Sequence, residues 1–164
     1  MNAIFKRVSV RKYTDESVSE EQIEKLLRAA MAAPSSANQQ PWEFYVSEDK
    51  EKMLQLAGVE EGRVNCAKDA AVVIVPVYRV ETKRAATVML DMSCACENIL
   101  LEAVELGLGA VWLSVYPREE KMLRVSQLLD IPENLKPFAM ICVGHPLEEK
   151  EQQDRFDPER IHRV

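Results

Sequence analysis

The chain has 164 residues, 47% of them apolar and 29% charged, which is the balance of a globular protein and not of a disordered or fibrous one. At this length about two thirds of the unfolded surface is buried on folding, so a single domain over residues 1–164 can hold its core without staples. The formal net charge of −6 argues against binding of nucleic-acid backbones, no apolar run reaches the roughly 20 residues of a membrane span, and the first seven residues lack the apolar stretch and cleavage site of a leader; a cytoplasmic protein with no nucleic-acid or membrane partner is expected.

Ile4, Phe5 and Val8 predict a short amphipathic helix ahead of a basic stretch. Ser19 followed by Gln22 has the form of a capping box, and Ile23, Leu26, Leu27 and Ala30 repeat at helical spacing, so a helix is predicted over 20–32. It stops before Pro34, because the residue ahead of a proline is biased out of the helical region. Residues 34–41 form a polar loop, 42–46 a strand and 48–57 a further helix. Residues 70–77 are a continuous β-branched run, the pattern of a central strand buried on both faces. Met92, Cys96, Ile99, Leu100 and Ala103 keep one helical stripe over 91–106, closed by Gly107 and apolar enough to be largely buried. Two more strands, over 110–115 and 138–143, flank a helix that starts near Pro117 and carries Met122, Val125 and Leu129. From 147 to 164 the chain is nearly all charged or amide residues, with Phe156, Ile161 and Val164 as its apolar anchors. Such a tail is either a frayed terminus or an arm that lies on another subunit, since 18 residues can extend about 60 Å.

Cys66, Cys94, Cys96 and Cys142 lie in segments typical of an intracellular protein, so buried thiols are predicted in preference to bridges. Cys94 and Cys96 look like half a metal site, but residues two apart on a helix point to nearly opposite sides. With only His145 and His162 besides, a zinc centre is not expected. There is no Ser/His/Asp triad and no P-loop, and Gly107-Leu108-Gly109-Ala110 runs from a helix into a strand, the reverse of a dinucleotide fingerprint.

Two polar constellations remain. In Arg7-Val8-Ser9-Val10-Arg11 two guanidinium groups at helical spacing bracket a hydroxyl, a set that can give one phosphate several charge-assisted hydrogen bonds; the same spacing suits a solvated helix face. The loop Pro34-Ser35-Ser36-Ala37-Asn38-Gln39-Gln40-Pro41 has the residues of an ordinary turn.

The ordered set says more. The Arg-x-Ser-x-Arg stretch, the capped helix, the Pro34-to-Trp42 run, Asp91 with Asn98-Ile99-Leu100-Leu101, Leu106-Gly107-Leu108-Gly109-Ala110-Val111-Trp112, Gly144-His145-Pro146 and Asp154-Arg155-Phe156-Asp157 together resemble the nitroreductase family of FMN flavoproteins over almost the whole chain. The resemblance implies an α+β fold with a central mixed sheet flanked by helices, built as an intertwined homodimer whose arm over 147–164 reaches the partner. It implies FMN as cofactor, its phosphate at Arg7, Val8, Ser9 and Arg11 and at Arg155 of the arm. Val8 stands where the family often has a second arginine. Pro34, Ser35, Ser36 and Asn38, with Gln40 beside them, would come from the other subunit to the flavin ring. The amides of Trp112, Leu113, Ser114 and Val115 would face the ring edge that becomes anionic on reduction, although Trp112 is equally a core aromatic. Asp91 would meet the ribityl chain or serve as an N-terminal helix charge. Asn65 falls off the family spacing and is left out.

The implied activity is a two-step transfer, NADH or NADPH giving hydride to flavin N5 and a nitroaromatic, quinone or similar small acceptor then taking it, with no side chain acting as catalyst. The alternatives are a specialised flavoprotein of dehalogenase or flavin-degrading type and a flavin-binding redox sensor without turnover. The short stretch between the 70–77 strand and Asp91 leaves the acceptor unread.

Overall fold

The computed structural model describes residues 2–59 and 66–164; Asn65 lies outside them. In chain order it has α1 (Ala3–Lys6), α2 (Glu20–Met31), β1 (Trp42–Ser47), α3 (Lys50–Ala57), α4 (Cys66–Asp69), β2 (Val72–Arg79), α5 (Val88–Glu105), β3 (Gly109–Ser114), α6 (Glu119–Leu128), β4 (Leu135–Pro137) and β5 (Ala139–Gly144). Single 3-10 turns add Ser36–Asn38, Ala85–Thr87 and Pro158–Arg160.

The capping box of α2 is complete, with the Gln22 amide donating to Ser19 Oγ at 3.3 Å and the Ser19 amide to Gln22 Oε1 at 2.9 Å. α1 is shorter than its pattern suggests. It ends at Lys6, buries only Ala3, and leaves Ile4 and Phe5 60% and 71% exposed.

The sheet runs β1-β2-β5-β3, with β4 also on β2, and each of these pairings is antiparallel. Among the described residues parallel pairing, expected of a mixed sheet, is confined to one bridge between Ser9 and Ala110, because the N-terminal segment crosses the end of the sheet, from Ala110 to a second bridge between Tyr13 and Pro146. Gly109 and Gly144 face each other in register and permit this crossing: a Cβ on Gly109 would stand 2.7 Å from Val10, and one on Gly144 would stand 3.0 Å from the Tyr13 ring. The Tyr13 hydroxyl bonds the carbonyls of Val10 at 2.7 Å and Cys142 at 3.0 Å, and burial pushes its phenol up from the usual range.

Strand β2 is central despite Pro76. Its missing N–H falls on the side where the partner strand breaks at Phe138, between β4 and β5, and only the Pro76 carbonyl is used there, accepting from the Phe138 amide at 2.9 Å. Alternation along the strands then divides two cores. On one face Val72, Ile74, Ala110, Ile141 and Val143 pack under α2 and α5; on the other Val73, Val75, Val111, Leu113 and Met140 pack under α3, α4 and α6. Most of the apolar stripe of α5 is thus buried on its own sheet, leaving Leu90 exposed. Cys94 is exposed where a buried thiol was expected, while Cys96 is buried, as two positions on opposite sides of one helix require.

Candidate functional site

The basic motif is not helical. Arg7 closes α1 in an extended conformation, φ −60° and ψ 121°, and the chain stays extended through its bridge at Ser9. Period-two alternation therefore sorts the motif. Val8 and Val10 pack into the second core, while Arg7, Ser9 and Arg11 share the other side. Arg11 is exposed, and its contact here is a 3.4 Å bond from Nη1 to the Ser9 carbonyl. Arg7 is 18% exposed at its side chain and pairs with Glu97 of α5 at 3.6 Å. The start of the tail secures this strip: Leu147 donates to the Lys12 carbonyl at 3.0 Å, and Gln152 Nε2 to those of Ile4 and Arg7 at 3.1 and 3.0 Å.

Strand β3 lies beside the strip, and its backbone polarity alternates. The Ala110 carbonyl faces outward to the Val10 amide at 3.0 Å, whereas the Val115 amide faces inward to Phe138 at 3.3 Å. The amides of Trp112 and Ser114 consequently project from the open edge, and those of Leu113 and Val115 are turned to the neighbouring chain segment. Of the four amides expected at the ring edge, two face outward and two inward. Ser114 is exposed, Leu113 is buried, and the Trp112 ring packs on Phe138 with centroids 5.5 Å apart.

The 34–41 loop is anything but an ordinary turn. Ala37, Asn38 and Gln40 have φ of 51°, 51° and 45°, a region that costs a residue with a side chain about 1–2 kcal/mol, less for asparagine. Bonds to distant residues hold this shape. The carboxylate of Asp91, 4% exposed, accepts the Ser36 amide at 2.9 Å and Gln39 Nε2 at 2.6 Å. Arg79 Nη2 donates to the carbonyls of Gln39 and Gln40, and Ser35 Oγ accepts the Gln40 amide at 3.0 Å. Pro34 and Asn38 remain exposed, with Ser35 and Ser36 half-buried. Each oxygen of Asp91 thus accepts one bond from the loop, which it supports from the first turn of α5.

The loop leads into β1, at one edge of the sheet, whereas the basic strip and β3 occupy the other. Three strand spacings, about 14 Å, separate those edges. A family model described as the nitroreductase family matches residues 4–64 and 54–145. This chain belongs to the nitroreductase family. It is 43% identical to a protein of Archaeoglobus fulgidus provisionally named an NADH dehydrogenase/NAD(P)H nitroreductase, over 99% of this chain and 96% of that one. Two solved structures are each 32% identical to the present chain. An FMN-dependent nitroreductase from Clostridium difficile R20291 aligns at TM-score 0.90 over 98% of this chain and 96% of that one. A provisionally assigned nitroreductase in complex with FMN, from Desulfovibrio desulfuricans, aligns at 0.84 over 99% and 94%.

Within this nitroreductase chain Arg155 is exposed and makes no contact with Arg7 or Arg11 among the described bonds. Beyond Gln152 the tail bonds mainly to itself, Phe156 to Asp154 and Arg160 to Asp157, and Phe156 is 74% exposed. Sequence reading missed Gln39, Arg79, Arg84 and Thr87, which build the loop's support. Arg79, Arg84 and Thr87 lie 40, 45 and 48 residues from Gln39 in the chain, so no local pattern ties them to the loop.

Proposed function

We propose that the protein is an FMN-dependent NAD(P)H oxidoreductase that works as a homodimer, each flavin lying between two chains. The observation that carries this is the division of the site. A phosphate-suited donor strip with an open amide edge lies at one edge strand of the sheet, and a strained, polar, solvent-facing loop leads into the opposite edge strand, about three strand spacings away, so each half of the site is presented at a different border of the chain. A second chain supplies the missing half.

The residues fit the cofactor. Arg7, Ser9 and Arg11 on one side of an extended segment offer charge-assisted donors to a dianionic phosphate, and Arg155 of the arm over 147–164 completes them from the tail. The outward amides of Trp112 and Ser114 stabilise negative charge developing at a ring edge without reorganising. Pro34, Ser35, Ser36 and Asn38 of the other chain close the ring's far side. Bound FMN supplies hydride chemistry in two steps, taken from NADH or NADPH and given to a nitroaromatic, quinone or related acceptor. The protein's own part is to bind, orient and keep open a face for two reactants in turn.

Exposed apolar residues support a shared interface. Val80 and Leu123 are 48% and 59% exposed and lie on one contiguous surface, the arrangement that marks an interface where single exposed residues do not. Val80 and Leu123 also line, with Tyr78, Met89 and Tyr116, an open groove of about 1590 Å³. Among the described residues no helix is long and apolar enough to cross a membrane.

The test is the visible spectrum of the purified protein, mass spectrometry of the released cofactor, sedimentation, and anaerobic addition of NADH or NADPH. One FMN per chain, a dimer and rapid bleaching are expected. FAD on release, or a colourless protein that FMN does not reconstitute, overturns the proposal; bound flavin that neither nicotinamide bleaches moves the protein to the redox-sensor reading.

A further inference from the structure

Gln39 is oriented by its surroundings. Its Nε2 faces three acceptors, Asp91 Oδ2 at 2.6 Å, Arg84 O at 3.3 Å and Thr87 Oγ1 at 3.3 Å, while its Oε1 accepts the Arg84 amide at 3.0 Å. Only one assignment of the amide satisfies that set, because the opposite one would set oxygen against two oxygens and a carboxylate. Asp91 is fixed in turn. It receives the Ser36 amide on one oxygen and Gln39 on the other, which a carboxylate can do and a carboxamide cannot, having one acceptor for two donors. The loop's positive-φ residues Ala37 and Asn38 lie between the two points held by Asp91, and Gln40 follows directly, its carbonyl gripped by Arg79.

We propose that Asp91 and Gln39 form a polarity-matched clamp, a pair of positioning residues that holds Ala37 and Asn38 in the left-handed region and so sets where Ser36 and Asn38 stand against the flavin ring. This rests on the reading that the loop meets the ring. The clamp also ties the loop to the turn at Ala85–Thr87 through both backbone groups of Arg84. Because Ala85 lines the large groove, the ring side and the groove wall share one support.

A swap of polarity tests it. Asp91→Asn leaves the Ser36 amide or Gln39 facing an NH2 group. Gln39→Glu sets two carboxylates together where a hydrogen bond of 2.6 Å stands now. The double variant restores donor against acceptor. The carboxamide then at position 91 gives its NH2 to the carboxylate then at position 39 and accepts the Ser36 amide on its oxygen, while the second oxygen of that carboxylate accepts from the Arg84 amide. The two weaker bonds to Arg84 O and Thr87 are lost, and a carboxylate oxygen then faces the Arg84 carbonyl, so the rescue is partial. FMN affinity by fluorescence titration should fall about tenfold or more in each single variant, the loss expected of a charge-assisted bond, and in the double should recover to at least the level of the better single variant instead of adding the two losses. Hydrogen exchange of the Ser36 amide should quicken in Asp91→Asn and slow again in the double, with or without flavin. Gln39, half-buried at the rim, serves as the entry to the cycle should Asp91→Asn fail to fold. Single variants that bind FMN as wild type does, a double variant no better than the two losses added, or exchange at Ser36 unchanged in both single variants overturns the clamp. Wild-type protein that binds no FMN sinks the functional reading instead, and the exchange measurement still judges the clamp.

Discussion

The two halves of the site are built on opposite plans. The loop is braced by side chains from β2, the turn at Ala85–Thr87 and α5, and its polar groups are largely engaged before any ligand arrives. The basic strip is pinned through its backbone, by Ala110, by Leu147 and by the Tyr13 hydroxyl, and leaves Arg11 exposed with one long bond to its own segment. A ring is bound mainly by shape, so the surface that meets it gains from being fixed in advance. A phosphate is bound by charge, and guanidinium groups serve it best when their donors are still available. The difference between the halves follows the difference between the two ends of one cofactor.

The largest test of the comparison removes what joins the halves. Truncation after Pro146 takes away Arg155 and the bonds of Leu147 and Gln152 to the strip. Flavin and dimer should be lost together, since a ligand that binds only the assembled state stabilises that state. Sedimentation with flavin absorbance reads both, and a truncated protein that stays dimeric and yellow breaks the idea of a crossing arm. Next in size is Arg11→Ala. With no carboxylate partner among the described residues and one long bond to the Ser9 carbonyl, Arg11 should give nearly its full charge-assisted contribution, and its removal should weaken FMN binding by about 1.5–3 kcal/mol, roughly 10- to 150-fold. An unchanged dissociation constant would move the phosphate off the strip.

How much of this was legible beforehand depended on whether the deciding interaction is local. Ser19 with Gln22, the stop at Pro34 and the β-branched run of β2 are short-range signals, and the elements they predict stand where expected to within about two residues. The strip shows the limit. Residues i and i+4 share a face in a helix and in a strand alike, so Arg7 and Arg11 did not reveal which they occupy; Ser9, at i+2, joins them only in the extended form. Strand existence at β3 was readable, yet which amides face outward depends on β5 and on Val10, at the other end of the chain. Nothing around Asp91 announces that it holds residues 36 and 39, and the family resemblance had offered it the ribityl chain. Strand direction was hidden for the same reason, since crossovers leave no local mark.

A smaller effect tests the pinning of the strip. Tyr13→Phe keeps the ring against Gly144 but removes the buried hydroxyl that bonds Val10 and Cys142, and should cost about 1–2 kcal/mol in denaturant unfolding. The sign with pH follows from burial, which raises the phenol in the folded state. The contribution is complete below the ordinary phenol value of about 10 and falls as pH rises above it, because the unfolded chain then ionises first. Wild type should therefore lose stability between about pH 10 and 11 more steeply than Tyr13→Phe. Parallel curves would place the alkaline sensitivity elsewhere.

The smallest effect has the opposite sign to the rest. Arg7 differs from Arg11 in having a partner, Glu97, at 3.6 Å, and that carboxylate is 49% exposed. A phosphate arriving at the strip has to share the Arg7 guanidinium with Glu97 and stands in the field of a like charge. Such a half-exposed pair contributes at most about 1 kcal/mol to the free protein, so removing the charge costs the fold little while relieving the repulsion. Glu97→Gln should tighten FMN binding by about 0.5–1 kcal/mol, roughly two- to fivefold. The gain should shrink as salt rises from about 0.05 to about 0.5 M, since screening weakens exposed pairs first. Titration at the two salt concentrations decides between two roles for Glu97. If affinity falls in Glu97→Gln, the carboxylate aims Arg7 at the phosphate, and the strip is preorganised after all in the manner of the loop; if affinity rises and the rise fades with salt, the strip holds its charge in reserve and the two halves differ in kind.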